Sequence, residues 1–152
     1  MKLSVGVLLL LLLAETGDGA STGSAAEVTR ARQLLVDRSS SPLALGKATL
    51  TVSPLHLENE TFRGHYQLKV TPFFFMNEQG SLALAAPAAS LRSLAAARPV
   101  EFRGTATDAG NGRTKEITGK MSPADNDRGA VTFSVKTDNG PVAFVTSYHF
   151  KP

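Results

Sequence analysis

The chain contains no cysteine. Disulfide bridges, thiolate nucleophiles and cysteine-ligated metals are therefore excluded. Tryptophan is also missing, and only two of the 152 residues are tyrosine. Charged residues make up 19% of the chain, and the basic ones form no cluster interleaved with aromatics. Such a cluster is the mark of nucleic-acid-binding domains, so no nucleic-acid partner is expected. No apolar run is long enough for a transmembrane helix, which needs about 20 residues. The longest, Val5 to Ala14, is broken only by Gly6. It follows Lys2 and precedes Gly17-Asp18-Gly19, the layout of a secretory signal peptide with its charged start, apolar core and small-residue cleavage site. Residues 1–19 are expected to be removed, leaving an exported protein, periplasmic or extracellular, with no integral membrane segment. Cleavage would take one base (Lys2) and two acids (Glu15, Asp18), moving the formal net charge from +3 to +4. That weak positive balance permits attraction to anionic surfaces without requiring it.

Catalytic signatures are equally scarce. No Gly-x-Ser-x-Gly elbow occurs. Gly110-Asn111-Gly112-Arg113 lacks the lysine of a phosphate-binding loop. Asp125-Asn126-Asp127 lacks the alternating oxygen ligands of a calcium loop and reads as a polar turn. His56, Glu58 and His65 are weak metal candidates. The first two share a strand face at i and i+2, and a hairpin near Asn59-Glu60 would bring His65 close. A polar outer face explains the same residues more simply, as it does for His149. A non-enzymatic protein without cofactor is expected.

What the sequence does contain is alternation. Residues 20–46 read as a flexible leader with a possible short helix over 27–38, where Val28, Ala31, Leu34 and Leu35 make one stripe. From residue 47 to 152 the apolar period becomes two. Phe62, Gly64, Tyr66, Leu68 and Val70 share one face, and Arg63, His65, Gln67 and Lys69 the other. Similar rows run through Val100 to Ala106, Ile117 to Met121, Val131 to Val135 and Val142 to Phe150, with Thr146 interrupting the last. Asn77 to Gly80 and Gly110 to Gly112 predict turns, and Asp138-Asn139-Gly140 a tight hairpin. The alanine-rich stretch between Pro87 and Pro99 predicts a helix over 88–97. The expected fold is mainly β: a small antiparallel barrel or sandwich of about seven strands with one or two short helices.

The run Pro72-Phe73-Phe74-Phe75 stands out against this pattern. Continuing the strand register turns Phe74 inward and Phe73 and Phe75 outward, and a bulge at Pro72 would reverse them. Either way an aromatic faces away from the core. The helix at 88–97 is the first candidate to cover it. Otherwise Phe73, Phe74, Phe75 and Tyr66 form a surface for a small hydrophobic ligand or an unknown protein partner. Two functions follow: a binding or assembly module, or a carrier whose cavity is lined by Phe62, Tyr66, Phe74, Phe102, Phe133 and Phe144. Glycines at 64, 104 and 119 on the inward faces would leave room for the cargo.

Overall fold

A computed structural model describes residues 33–138 and 140–152. The expected signal peptide, residues 1–19, and residues 20–32 lie outside them, as does Asn139. The described residues form ten strand segments and one short α-helix, arranged as the eight staves of a closed antiparallel barrel. β1 (Gln33–Val36) and β2 (Ser39–Leu43) are two halves of the first stave, bent at Asp37-Arg38. β3 (Gly46–Val52) and β4 (Leu55–Glu58) are halves of the second. That stave is broken at Ser53-Pro54, where proline has no N–H for the ladder. The Ser53 hydroxyl repairs the gap by accepting the His65 N–H at 2.9 Å. β5 (Thr61–Thr71) pairs with both β3 and β4. A meander follows through β6 (Glu78–Ala85), β7 (Val100–Asp108), β8 (Thr114–Pro123), β9 (Arg128–Thr137) and β10 (Gly140–Lys151). β10 then pairs with β1, Leu34 opposite Phe150, and the barrel is closed.

The rows of alternate residues set the inside. Phe62, Tyr66, Val70, Ala106, Ile117, Met121, Val131, Phe133, Phe144, Tyr148 and Phe150 are all buried. Thr146, which interrupts the β10 row, faces the bend of the first stave and donates its hydroxyl to the Asp37 carbonyl at 3.0 Å. Closure runs through the β1–β10 ladder, while β2 is laddered to β3.

The two ends of the barrel differ. At one end the β4–β5 turn, the β8–β9 loop and α1 (Ala88–Ala95) lie together. Asn59 and Glu60 both take positive φ, 47° and 59°, the signature of a two-residue hairpin with primed geometry. Glu60 then receives the start of the helix: its side chain accepts from the Ala88 N–H and its carbonyl from the Ala86 N–H. The helix buries Leu91, Leu94 and Ala95 as a plug. Above them Phe62, Tyr148 and Phe150 pack ring on ring, with centroids 5.5–6.0 Å apart, beside the buried Leu34 and Leu55. This half is solid core. The turns after β2, β5, β7 and β9 form the other end, which is open.

Four expectations need correction. Residues 33–36 are strand, not the end of a helix over 27–38: the stripe through Leu34 and Leu35 fits either period, and pairing with both β10 and β4 decides it. The sheet therefore starts ahead of residue 47. The turn expected at 77–80 comes earlier, over 72–77, and Glu78 and Gly80 belong to β6. Gly80 is there because β7 crosses so closely that a Cβ would run into the Thr107 carbonyl. Finally, the inward glycines make no room for cargo. A Cβ at Gly64, Gly104 or Gly119 would sit 2.5 Å from the side chains of Leu55, Leu84 or Phe102, which already fill that space.

Candidate functional site

The helix that was expected to cover the phenylalanines plugs the opposite end of the barrel. β5 stops at Thr71, and the chain leaves the sheet through a cis Thr71–Pro72 bond into a 3₁₀ turn over Phe74–Met76. Backbone bonds from Met76 to Phe73 and from Asn77 to Phe74, 2.9 and 3.1 Å, hold this turn. The Asn77 side chain ties it to the strand by accepting the Val70 N–H at 2.8 Å. None of its three residues is buried: Phe74 is 69% exposed and Phe75 84%. The fixed register of the sheet thus ends one residue before the proline, and the aromatics become a rim rather than a face.

Inside that rim lies a cavity of about 960 Å³. Its wall is apolar, with Leu50, Leu82, Phe102, Phe133 and Phe144 contributing, and Met121 and Val131 lie toward its floor. Phe133 and Phe144, cross-strand neighbours on β9 and β10, stack at 5.5 Å. The aromatic cluster of Phe62, Tyr148 and Phe150 lies below and takes no part in the lining, which reaches that core at Leu34.

One polar set is built into this wall. Glu78 at the start of β6 and Lys115 at the start of β8 point inward across β7 and form an ion pair. Their side chains are 13% and 28% exposed. The Tyr66 hydroxyl donates to the other carboxylate oxygen of Glu78. Burial, and then the hydrogen bond to Glu78, push the Tyr66 phenol well above the ordinary tyrosine range, so it stays protonated and a donor. The three groups satisfy one another in a greasy surround, and they set a concentrated dipole in the cavity wall.

The mouth has two unlike halves. The β2–β3 and β5–β6 turns are neighbours, because β3 pairs with β5, and they bring Leu45, Phe73, Phe75 and Met76 to one side. The β7–β8 and β9–β10 turns supply the other side with Asn111, Arg113 and Asp138. Arg113 and Asp138 face each other at 3.6 Å and are largely exposed.

Of the residues marked from sequence, Tyr66, Phe73 and Phe75 border the same cavity. Phe74 does not; it points into solvent. Phe62 belongs to the core below, whereas Phe102, Phe133 and Phe144 do line the cavity, as expected of a carrier. His56, Glu58 and His65 lie along an outer groove near Arg63, which pairs loosely with Glu58 at 3.9 Å. Among the described residues no group of three or more His, Asp or Glu side chains is placed to hold a metal. In the β8–β9 loop Asp125 is engaged by Arg128 at 2.9 Å, with further bonds from the Asp127 and Arg128 N–H groups. The Arg128 guanidinium holds the Asp125 carboxyl down to about 2. That loop is a self-satisfied turn.

Sequence reasoning missed Glu78 and Lys115. The signal was available: Lys115 continues the inward row of Ile117, Gly119 and Met121, and Glu78 that of Gly80 and Leu82. Reading 77–80 as a turn removed Glu78 from its row. Comparisons with family models, with curated proteins and with solved structures return no match to this chain.

Proposed function

We propose that this barrel binds one small, largely apolar molecule bearing a polar group, and performs no chemistry on it. The cavity carries this reading. At about 960 Å³ it is close to the upper end of the roughly 300–1,000 Å³ usual for ligand sites. Its composition is also typical of such sites: apolar walls with a few fixed polar groups, here Tyr66, Glu78 and Lys115. Eight-stranded barrels are wide enough to hold a single small ligand. The apolar tail would lie against Phe102, Phe133 and Phe144, and the polar group would meet the Glu78–Lys115 pair. An exported setting, periplasmic or extracellular, is part of the proposal and rests on the N-terminal sequence.

Nile red, whose emission rises in apolar surroundings, provides a direct test. The wild type should bind it saturably at one site. Val142, half-buried and lining the cavity, is the position to block. Val142→Trp should weaken binding about tenfold or more by filling the space, while an unchanged melting temperature shows that the wall tolerates it. Equal binding by both proteins would remove the cavity as the site. Native mass spectrometry of freshly purified wild type should show a co-purified lipophile that the variant lacks.

A further inference from the structure

We propose that the apolar side of the mouth docks on the surface of an anionic lipid bilayer. The cavity alone does not account for the lip. Four of the five large apolar side chains that are exposed among the described residues, Leu45, Phe74, Phe75 and Met76, stand on its two adjacent turns. Phe74 is the telling one: it takes no part in the cavity lining and faces water. Nor is the lip slack, since the bonds through Asn77, Met76 and Val70 fix it. A rigid, solvent-facing aromatic turn is a poor choice for a monomer in water and a good one for an interface that is apolar at depth and polar at its surface.

Charge selects the occupant. Directly below the lip, the outer wall of β3 and β5 carries Lys47 and Lys69. The outward residues around them on β2, β3, β6 and the mouth half of β5 are Ser40, Pro42, Thr49, Thr51, Gln67, Thr71, Gln79 and Ser81, with no carboxylate. No ion pair is formed by either lysine among the described residues. On the far side of the mouth Arg113 is matched by Asp138. On that far half the outer wall carries both signs, Lys136 on β9 and Glu116 on β8. The wall beneath the greasy half carries positive charge only, which matches an inserted lip with anionic headgroups around its base. Such docking would set the cavity opening against the membrane, and it goes beyond the cavity reading without depending on it.

The test is co-sedimentation with phosphatidylcholine vesicles prepared with and without phosphatidylglycerol. Wild type should bind the phosphatidylglycerol vesicles and lose binding as salt is raised. Phe74→Ser should weaken partitioning about tenfold, as expected for loss of one inserted aromatic. The double variant Lys47→Glu/Lys69→Glu should abolish the preference for anionic vesicles. Both variants change exposed residues outside the cavity, so both should melt and bind Nile red, in the absence of vesicles, as the wild type does. Wild type that stays in the supernatant, or Phe74→Ser that sediments like wild type, overturns the proposal. So does a concentration-dependent dimer abolished by Phe74→Ser, which would assign the lip to a second copy. A protein that binds Nile red but not vesicles fails here only; one that binds vesicles but not Nile red fails the cavity reading only.

Discussion

Ala97, just beyond the helix, adopts a φ of 53°. It occupies the position where helices commonly end on glycine. The Arg98 N–H reaches back to the Ser93 carbonyl at 2.9 Å and the Ala97 N–H to that of Leu94, also at 2.9 Å. An L side chain in this region costs about 1–2 kcal/mol. Ala97→Gly should therefore stabilise the protein by about 1 kcal/mol, read as a higher urea midpoint at unchanged slope. The Glu78–Lys115 pair gives a second expectation at this scale. Glu78→Leu leaves the lysine charge in the wall without its partner and the Tyr66 hydroxyl without its acceptor, at a cost of about 1–3 kcal/mol. Adding Lys115→Leu should restore most of that loss, because the two apolar groups pack where the charges stood. A double variant no more stable than Glu78→Leu would mean that the ion pair does not limit stability.

Among the elements, α1 is the most dependent on its neighbours. Eight residues are too few for a helix to persist alone. Pro87 at its start offers no side-chain cap, and the turn carrying Glu60 supplies the acceptor. Its stability is therefore that of its docking. Leu94→Ala, at a residue only 3% exposed, should cost about 2–5 kcal/mol in chemical denaturation. The elements also show where local pattern suffices and where it fails. β5, β7, β8, β9 and β10 were legible because their alternation is long and one face of each is buried, so a slip by one residue would turn the whole row out. The helix between Pro87 and Pro99 was legible for its alanines and its bounding prolines. β1 was not. Its four residues satisfy a helical stripe and a strand equally, and only partners more than twenty residues further along the chain on one edge and more than a hundred on the other choose between them. The candidate site divides in the same way. Phe102, Phe133 and Phe144 could be placed from their rows. The position of Phe74 could not, because the alternation that predicts direction stops where β5 stops.

For the molecule as a whole, the two tyrosines make a sensitive probe. Burial pushes the Tyr148 phenol up to about 12, and Tyr66 is raised as well. Each is an acid that the folded state keeps protonated more strongly than the unfolded chain, whose tyrosines ionise near pH 10. Their contribution to stability is complete below pH 10 and is lost as the pH climbs from there toward 12. With no tryptophan and no further tyrosine in the chain, tyrosinate absorbance can be followed without interference. It should remain low at pH 10 and rise together with unfolding. The urea midpoint should fall between pH 10 and 12, less so in Tyr148→Phe. A normal phenol titration at pH 10 in the folded protein would contradict the packing described for the closed end.

The seam between β1 and β10 brings together residues separated by more than a hundred positions in the chain. Until β10 is in place the cylinder cannot close, although the strands from β5 to β9 can already pair one with the next. Contacts of such long sequence range delay folding. A substitution that weakens this one seam should therefore open the ring while the meander from β5 to β9 stays paired.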